Sequence, residues 1–383
     1  MKKSLIAIAI VTFSLGITEF GMMGILEDVA HSLDISVVKA GHFITAYSAG
    51  VAVGAPGLVL LRKWGLKKLL LLLTFIIFIG NLCTAFSPGY MTMLVSRFIS
   101  GLPHGAFFGA AAIVAERIAD PGHKAESVAI AVGGMTVANM VGVPLATFLS
   151  NVIDWRVAFI VVAVCALTGL IAIKSYLPAL AALPDTGIKG QFRFLSKPGP
   201  WLVYAGVFFG QASVYCWLSY IAPQMTQVTH FSQSAMTWIM VVVGFGMVVG
   251  NSVAGKLSDR YSASHVTAII AGALVIIMPA LYFCAPFKVP SVIFAFIAPA
   301  CLFGIGGPLQ YLIVRYAKGG EMLGGAGIQI AFNVSNAMSA SLGGVAIHQG
   351  WGYASPALVG VPFALVGSFA LFMLYKRYPI GNR

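Results

Sequence analysis

The chain has 383 residues, 59% of them hydrophobic and 9% charged. A soluble domain carries about 25% charged residues, so this chain cannot cover a water-facing surface and reads as an all-α polytopic membrane protein. The net charge of +12 does not gather into the basic face that nucleic acid requires. The cations fall in short segments between apolar runs, which excludes nucleic acid as a partner.

Apolar stretches of about 20 residues recur along the chain, each enough to cross about 30 Å of hydrocarbon. The first is expected at 5–27. It opens on MKKSLIAIAIVTFSLG, which is signal-like in charge and apolarity, but it runs on to Leu26 without a convincing cleavage site. It is therefore read as a retained helix. Five more follow at 38–61, 66–86, 91–116, 126–150 and 156–176. The next segment, 177–199, carries Pro178, Pro184, Gly187, Gly190, Pro198 and Gly199 with three cations. It reads as a cytoplasmic linker between an N-terminal half, 1–176, and a C-terminal half, 200–383. Within it QFRFLSKP reads equally as a short interfacial helix or a plain loop. Six further stretches are expected at 200–222, 234–256, 264–284, 290–314, 322–346 and 353–375.

Twelve spans put both chain ends on one side. Nineteen Lys and Arg fall on that side and three, Lys39, Arg156 and Lys288, on the other. Both termini are therefore expected in the cytoplasm. A shift of 197 residues brings LLRKWG (60–65) near LSDRYS (257–262) and lays Asn139 on Asn336. Duplicated halves of this kind are common in secondary transporters.

Polar groups inside the spans are the functional candidates. Glu19 interrupts TFSLGITEFGMMGIL (12–26), where a carboxylate is costly without a partner, a water path or a task. At 1.5 Å per residue it sits about 21 Å from the cytoplasmic start of its helix. Arg97 lies about 9 Å into the fourth stretch from the opposite side. The two land at similar depth, where an ion pair or a shared wet cavity lowers the cost of both. Glu19 is the best proton carrier, exchanging a proton as its surroundings alternate between wet and dry, and Arg97 is its modulator. The alternative is a fixed pair holding two helices together. His104, on roughly the face of Arg97, and Asn139, near mid-membrane, suit either a polar solute or a tie between helices. The same choice applies to Gln211, Tyr215, Trp217 and Tyr220 in the seventh stretch, and to Gln310, Gln329, Asn333 and Asn336 farther on. Amides beside aromatic rings suit an uncharged, hydroxyl-rich or amphipathic solute.

Nothing in the sequence supports catalysis. Cys83, Cys165, Cys216, Cys284 and Cys301 form no CxxC or Cys/His cluster and read as small buried hydrophobes, with no metal site. GIGGP (304–308) lacks the GK[ST] ending of a phosphate loop. No cofactor is expected.

ITEFGMMGIL, SRFISGLPHGAFFG, GMTVANMVGVPLATFLS followed by DWRVAF, and QIAFNVSNAMSASLGG occur in this order. On these motifs the chain resembles the major facilitator superfamily from Met1 to about Arg377, in particular its drug/proton antiporter branch and the AraJ type of arabinose-efflux proteins. The resemblance implies twelve transmembrane helices in two six-helix bundles, in a bacterial inner membrane. It also implies proton-coupled efflux of a sugar, metabolite or drug by a protein that works as a monomer. A proton-coupled importer is the alternative, and a non-transporting receptor or scaffold the third reading. The family's loop GxLaDRxGRR acts as a conformational latch. Here the first copy reads LVLLRKWGLKK, keeping Gly65 with Lys67 and Lys68 and placing Arg62 at the usual Asp. The second copy, GKLSDRYSA, keeps Gly255, Asp259 and Arg260. The fourth-helix motif carries over Arg97, Gly101 and Gly105, and the resemblance ties Arg97 to proton coupling. The fifth-helix antiporter motif, GxxxGPxxGG, keeps Gly134 and Pro144 around Asn139 and Gly142, and it is associated with export.

Overall fold

A computed structural model of the protein describes residues 2–54, 61, 64–120, 124–182, 193–317 and 321–378. Helices dominate, and no strand occurs among the described residues. The long helices are α1 (Lys2–Gly24), α2 (Val37–Gly54), α3 (Leu66–Ala85) and α4 (Tyr90–Arg117). Next come α5, built from Lys124–Val137, Ala138–Gly142 and Val143–Val152, and α6 (Trp155–Tyr176). The second half of the chain holds α7 (Pro198–Leu218), α8 (Met236–Arg260) and α9 (Ala263–Cys284). It ends with α10 (Lys288–Tyr316), α11 (Glu321–His348) and α12 (Ser355–Arg377). Among the described residues eleven helices are long and apolar enough to cross a membrane. The expected second span is represented by the 18 residues of α2, and its remainder at 55–60 lies outside the described residues. So do 183–192 of the expected linker. The fragment QFRFLSKP contributes a short 3-10 turn, Arg193–Ser196.

Local chemistry sets the helix ends and breaks. The Asp154 side chain caps α6 by accepting from the Arg156 N–H at 2.8 Å, and Ser262 caps α9 through the His265 N–H. Such caps satisfy N–H groups that the helix leaves orphaned. Gly350 and Gly352 take positive φ, 83° and 82°, in the turn from α11 to α12, where a side chain is disfavoured. Pro103 interrupts α4 between Gly101 and His104, because it lacks an N–H and crowds the preceding turn. In α5 a π-turn at Ala138–Gly142 precedes Pro144, a common form of adjustment at a helix irregularity.

Small residues bring the helices close. A Cβ on Gly101 would lie 2.1 Å from the Tyr47 carbonyl of α2, and one on Gly244 would lie 1.8 Å from the Asn139 carbonyl. Membrane helices gain mainly from such packing, since lipid offers no hydrophobic drive between them. Gly101→Val is expected to cost about 1–3 kcal/mol by overpacking and to lower the thermal midpoint in detergent. Gly133→Ala, with nothing within 4 Å of the added carbon, is expected to be neutral.

Before residue 177, α1 packs on α5 and α6, α2 on α4, and α3 on α4 and α6; after it, α7 packs on α11 and α12, and α8 and α9 on α10. The halves meet where α2 packs on α11 and α5 on α8. One continuous apolar core joins the halves at the end away from the chain termini, running from Phe20, Met23 and Phe43 to Tyr215, Tyr220 and Met240, and continues within the second half to Leu312 and Leu374. Toward the terminal end a separate core, including Leu5, Leu70 and Val114, belongs to the first half alone. Seven hydrogen bonds join the halves in the part of the bundle distal to the termini, from Thr45–Ser341 outward. The molecule is therefore held shut at its distal end.

Candidate functional site

Glu19 of α1 is 1% exposed, and neither carboxylate oxygen has a hydrogen-bond partner within the protein. Its nearest basic group is His104, with Nε2 3.8 Å from Oε2. The Pro103 break places His104 at the start of the second segment of α4. The other ring nitrogen, Nδ1, shares a 2.7 Å hydrogen bond with the Tyr47 hydroxyl of α2. Carboxylate, imidazole and phenol thus stand in a row through three helices.

Arg97 is fully buried in the same place but forms no ion pair with Glu19. Its Nη1 donates to the Thr18 carbonyl at 2.8 Å, and its Nε donates to the Phe43 carbonyl at 3.4 Å. Its guanidinium lies 4.5 Å from the centre of the Tyr47 ring and 5.7 Å from that of Phe159. The equal depth of Glu19 and Arg97 therefore yields a shared site without direct pairing. The arginine grips the backbone one residue from the carboxylate and ties α4 to α1 and α2. Its remaining nitrogen, Nη2, has no partner in the protein.

The second half closes this centre with aromatic rings. Phe20, beside Glu19, stacks on Tyr215 of α7 at 6.5 Å and 17° and touches Phe303 of α10 at 5.7 Å. Tyr215 meets Phe332 of α11 edge-on at 5.5 Å. Its buried hydroxyl has no hydrogen-bond partner in the protein. Gln211 lies one turn from Tyr215, and Asn336 one turn from Phe332, so the Tyr215–Phe332 contact brings these faces together. Gln211 spends its amide nitrogen on the Leu302 carbonyl and Asn333 spends its own on the Gln329 carbonyl. Both keep a free buried oxygen, and Asn336 keeps both amide atoms free. Asn139, in the π-turn of α5, also has an unpartnered buried oxygen. It lines a narrow cleft with Phe20, Met23, Leu218 and Met240.

The other candidates sit elsewhere. Trp217 is buried away from the centre, its indole N–H donating to Gln224 Oε1 at 3.2 Å. Tyr220 donates to the Ala340 carbonyl at 2.8 Å and presses on Gly41 and Gly344, at the contact between α2 and α11. Gln310 adjoins Gly325, and Gln329 lends its carbonyl to Asn333. Of the latch residues, Arg62 and the Asp259 side chain lie outside the described residues. Gly255 has nothing within 4 Å of an added Cβ, and Arg260 is exposed with its guanidinium 5.4 Å from the Tyr261 ring centre. Gly65 abuts the Leu180 carbonyl, which the Leu66 N–H also meets at 3.1 Å. The first copy of the loop is thus stitched to the start of the linker, as Lys67 donating to the Leu177 carbonyl also shows. Tyr47, Phe20, Phe303 and Phe332 are members of the centre that sequence reasoning passed over. An aromatic residue inside an apolar helix gives no signal that separates it from ordinary core.

The sequence pattern that defines the Major Facilitator Superfamily matches residues 8–221 and again 201–382. The chain belongs to the Major Facilitator Superfamily. As a member it is a polytopic α-helical secondary transporter of a small solute. It is 43% identical over 381 residues to AraJ of Escherichia coli (strain K12), covering 98% of this chain and 96% of that protein. It is 33% identical over 376 residues to the inner membrane transport protein YdhP of Escherichia coli O157:H7, covering 98% and 96%. Among solved structures, a D-xylose-proton symporter superposes with a TM-score of 0.77 at 16% identity, covering 98% of each chain. That likeness shows the superfamily fold.

Proposed function

We propose that the protein is a proton-coupled exporter of a small neutral solute in a bacterial inner membrane, with its terminal end facing the cytoplasm. Twelve spans form two six-helix bundles, 1–176 and 200–383, that rock about the central site and are joined by the linker at 177–199. The observation that carries this reading is Glu19, buried where the helices converge, with both oxygens unpartnered and His104 Nε2 at 3.8 Å. A buried carboxylate without fixed hydrogen bonds can change protonation as its surroundings change, whereas a fully bonded structural pair resists that change. His104, bonded to Tyr47, is placed to steady or relay that proton. Arg97 sets the local field and holds the three helices in register. The inner-membrane assignment follows YdhP, which is described as an inner membrane transport protein.

The solute class follows from the free atoms. Gln211 and Asn333 offer oxygens only, since each amide nitrogen is already bound to a backbone carbonyl. Asn336 offers both a donor and an acceptor. Such a set suits a neutral molecule bearing several O–H or N–H groups, and sugars head the list. An anion would face mainly acceptors. The export direction rests on the fifth-helix motif, and a proton symporter would use the same carboxylate. Counterflow in vesicles with pH gradients imposed both ways separates the two. The reading is tested by screening sugars, nucleosides, amino-acid derivatives and drugs for thermal stabilisation, then measuring solute-dependent proton movement in liposomes. No proton movement with any stabilising solute would overturn it. Asn336→Ala is expected to raise the apparent KM about tenfold, from losing two neutral hydrogen bonds, with melting little changed.

A further inference from the structure

The chain breaks at Ile25 and turns into a short helix, Leu26–Ser32, which carries two carboxylates to the distal end of the bundle. Glu27 accepts from the second half at both oxygens. The Thr226 hydroxyl donates to Oε2 at 2.7 Å, and the Gln227 amide donates to Oε1 at 2.6 Å. Asp28 bridges the halves. Its Oδ2 accepts from Ser150 of α5, and its Oδ1 accepts from Gln233 at 3.0 Å. The neighbour of Ser150, Asn151, donates to the Gln233 carbonyl at 3.2 Å and to the Thr237 hydroxyl at 3.3 Å. Gln233 is therefore held by side chain and backbone at once.

From this network we infer that Glu27 and Asp28 are the distal latch of the transporter. They hold the segment between α7 and α8 against α1 and α5 in the state shut at that end. The donors are hydroxyls and amides, so each bond is charge-assisted on the acceptor side alone. Among the described residues of this network opening separates no ion pair, and water can take over every bond that breaks. This chemistry suits a door that must open repeatedly. The two acidic residues thereby set the balance between the closed-distal state and its opposite without contacting the solute. The inference rests on the reading that the halves rock. Its test is conformational, so a failure of solute transport leaves it separately decidable.

Hydrogen–deuterium exchange on the full chain in lipid nanodiscs reads that balance. In Asp28→Ala and Glu27→Ala, backbone exchange at 221–236 is expected to rise about tenfold, the change in opening expected from losing such bonds. Exchange in the terminal halves of α5 and α8 is expected to fall, because opening one end of a rocking molecule closes the other. Asp34→Asn, in the same turn but outside the network, is the control and is expected to match the parent. A rise confined to 221–236 is local loosening and overturns the latch, as does no change at all. Gln233→Ala removes only the second-half donor. It is expected to give the same reciprocal pattern and to add little to Asp28→Ala, and it decides the question if either acidic variant misfolds.

Discussion

Glu19→Gln abolishes proton-driven accumulation of the solute while solute-for-solute exchange at equal pH continues. The amide occupies nearly the same space as the protonated acid and cannot release a proton. Because neither Glu19 oxygen bonds to the protein, the swap strands no donor, and folding should survive it. The driving force is what disappears. An exporter coupled to one proton gains about tenfold in solute gradient per pH unit, since one pH unit is about 1.4 kcal/mol. The variant should give none. The check is solute uptake into inverted vesicles with and without an imposed pH gradient, with counterflow in the same preparation as the control for a folded site. Unchanged pH dependence in the variant would mean that Glu19 is not the proton carrier.

Arg97→Ala is expected to cost both stability and transport. The side chain fills the space between Tyr47 and Phe159 and donates to the Thr18 and Phe43 carbonyls. Its removal leaves a cavity between the rings and two buried carbonyls without their donor, changes that together cost about 3–5 kcal/mol. Transport should fall at least about tenfold, together with the melting temperature. Arg97→Lys keeps the charge but loses the fork that reaches two carbonyls at once. It should restore much of the stability and little of the transport rate. Equal recovery of both would reduce Arg97 to a source of positive charge. These effects are larger than those expected from Gly101→Val or Asn336→Ala, because they alter buried charged groups rather than packing or a neutral hydrogen bond alone.

The span pattern was legible because each hydrophobic run must cover a fixed thickness of lipid, and that requirement writes itself into sequence length and charge. The predicted stretch at 66–86 meets the helix Leu66–Ala85, and that at 264–284 meets Ala263–Cys284. Glu19 and Arg97 stood out for the same reason, as charges inside apolar runs. Their lateral relation was not legible. Depth along a helix says how far two residues lie from the surface and nothing of which faces meet. The approach of His104 to Glu19 depends on the break at Pro103, and the Arg97 bonds depend on carbonyls that every residue has. Tyr47 illustrates the limit best. It orients His104 and stacks on Arg97, yet in the sequence it is one more aromatic residue in an apolar helix. Trp217 shows the converse, for a polar aromatic at a promising depth proves to bond within its own half, to Gln224. The distal carboxylates carry no signal in the sequence, because the amides that meet them lie about 200 positions away.

The most direct test of the central claim is solute flux by the purified protein in liposomes, with a pH gradient imposed first in one direction and then in the other. The account predicts uphill movement of a neutral solute opposite to the proton flow, reversing when the gradient reverses, with one Glu19-dependent proton movement accompanying it. Solute movement that ignores the gradient in both directions, or that follows the proton in the same direction, would contradict it.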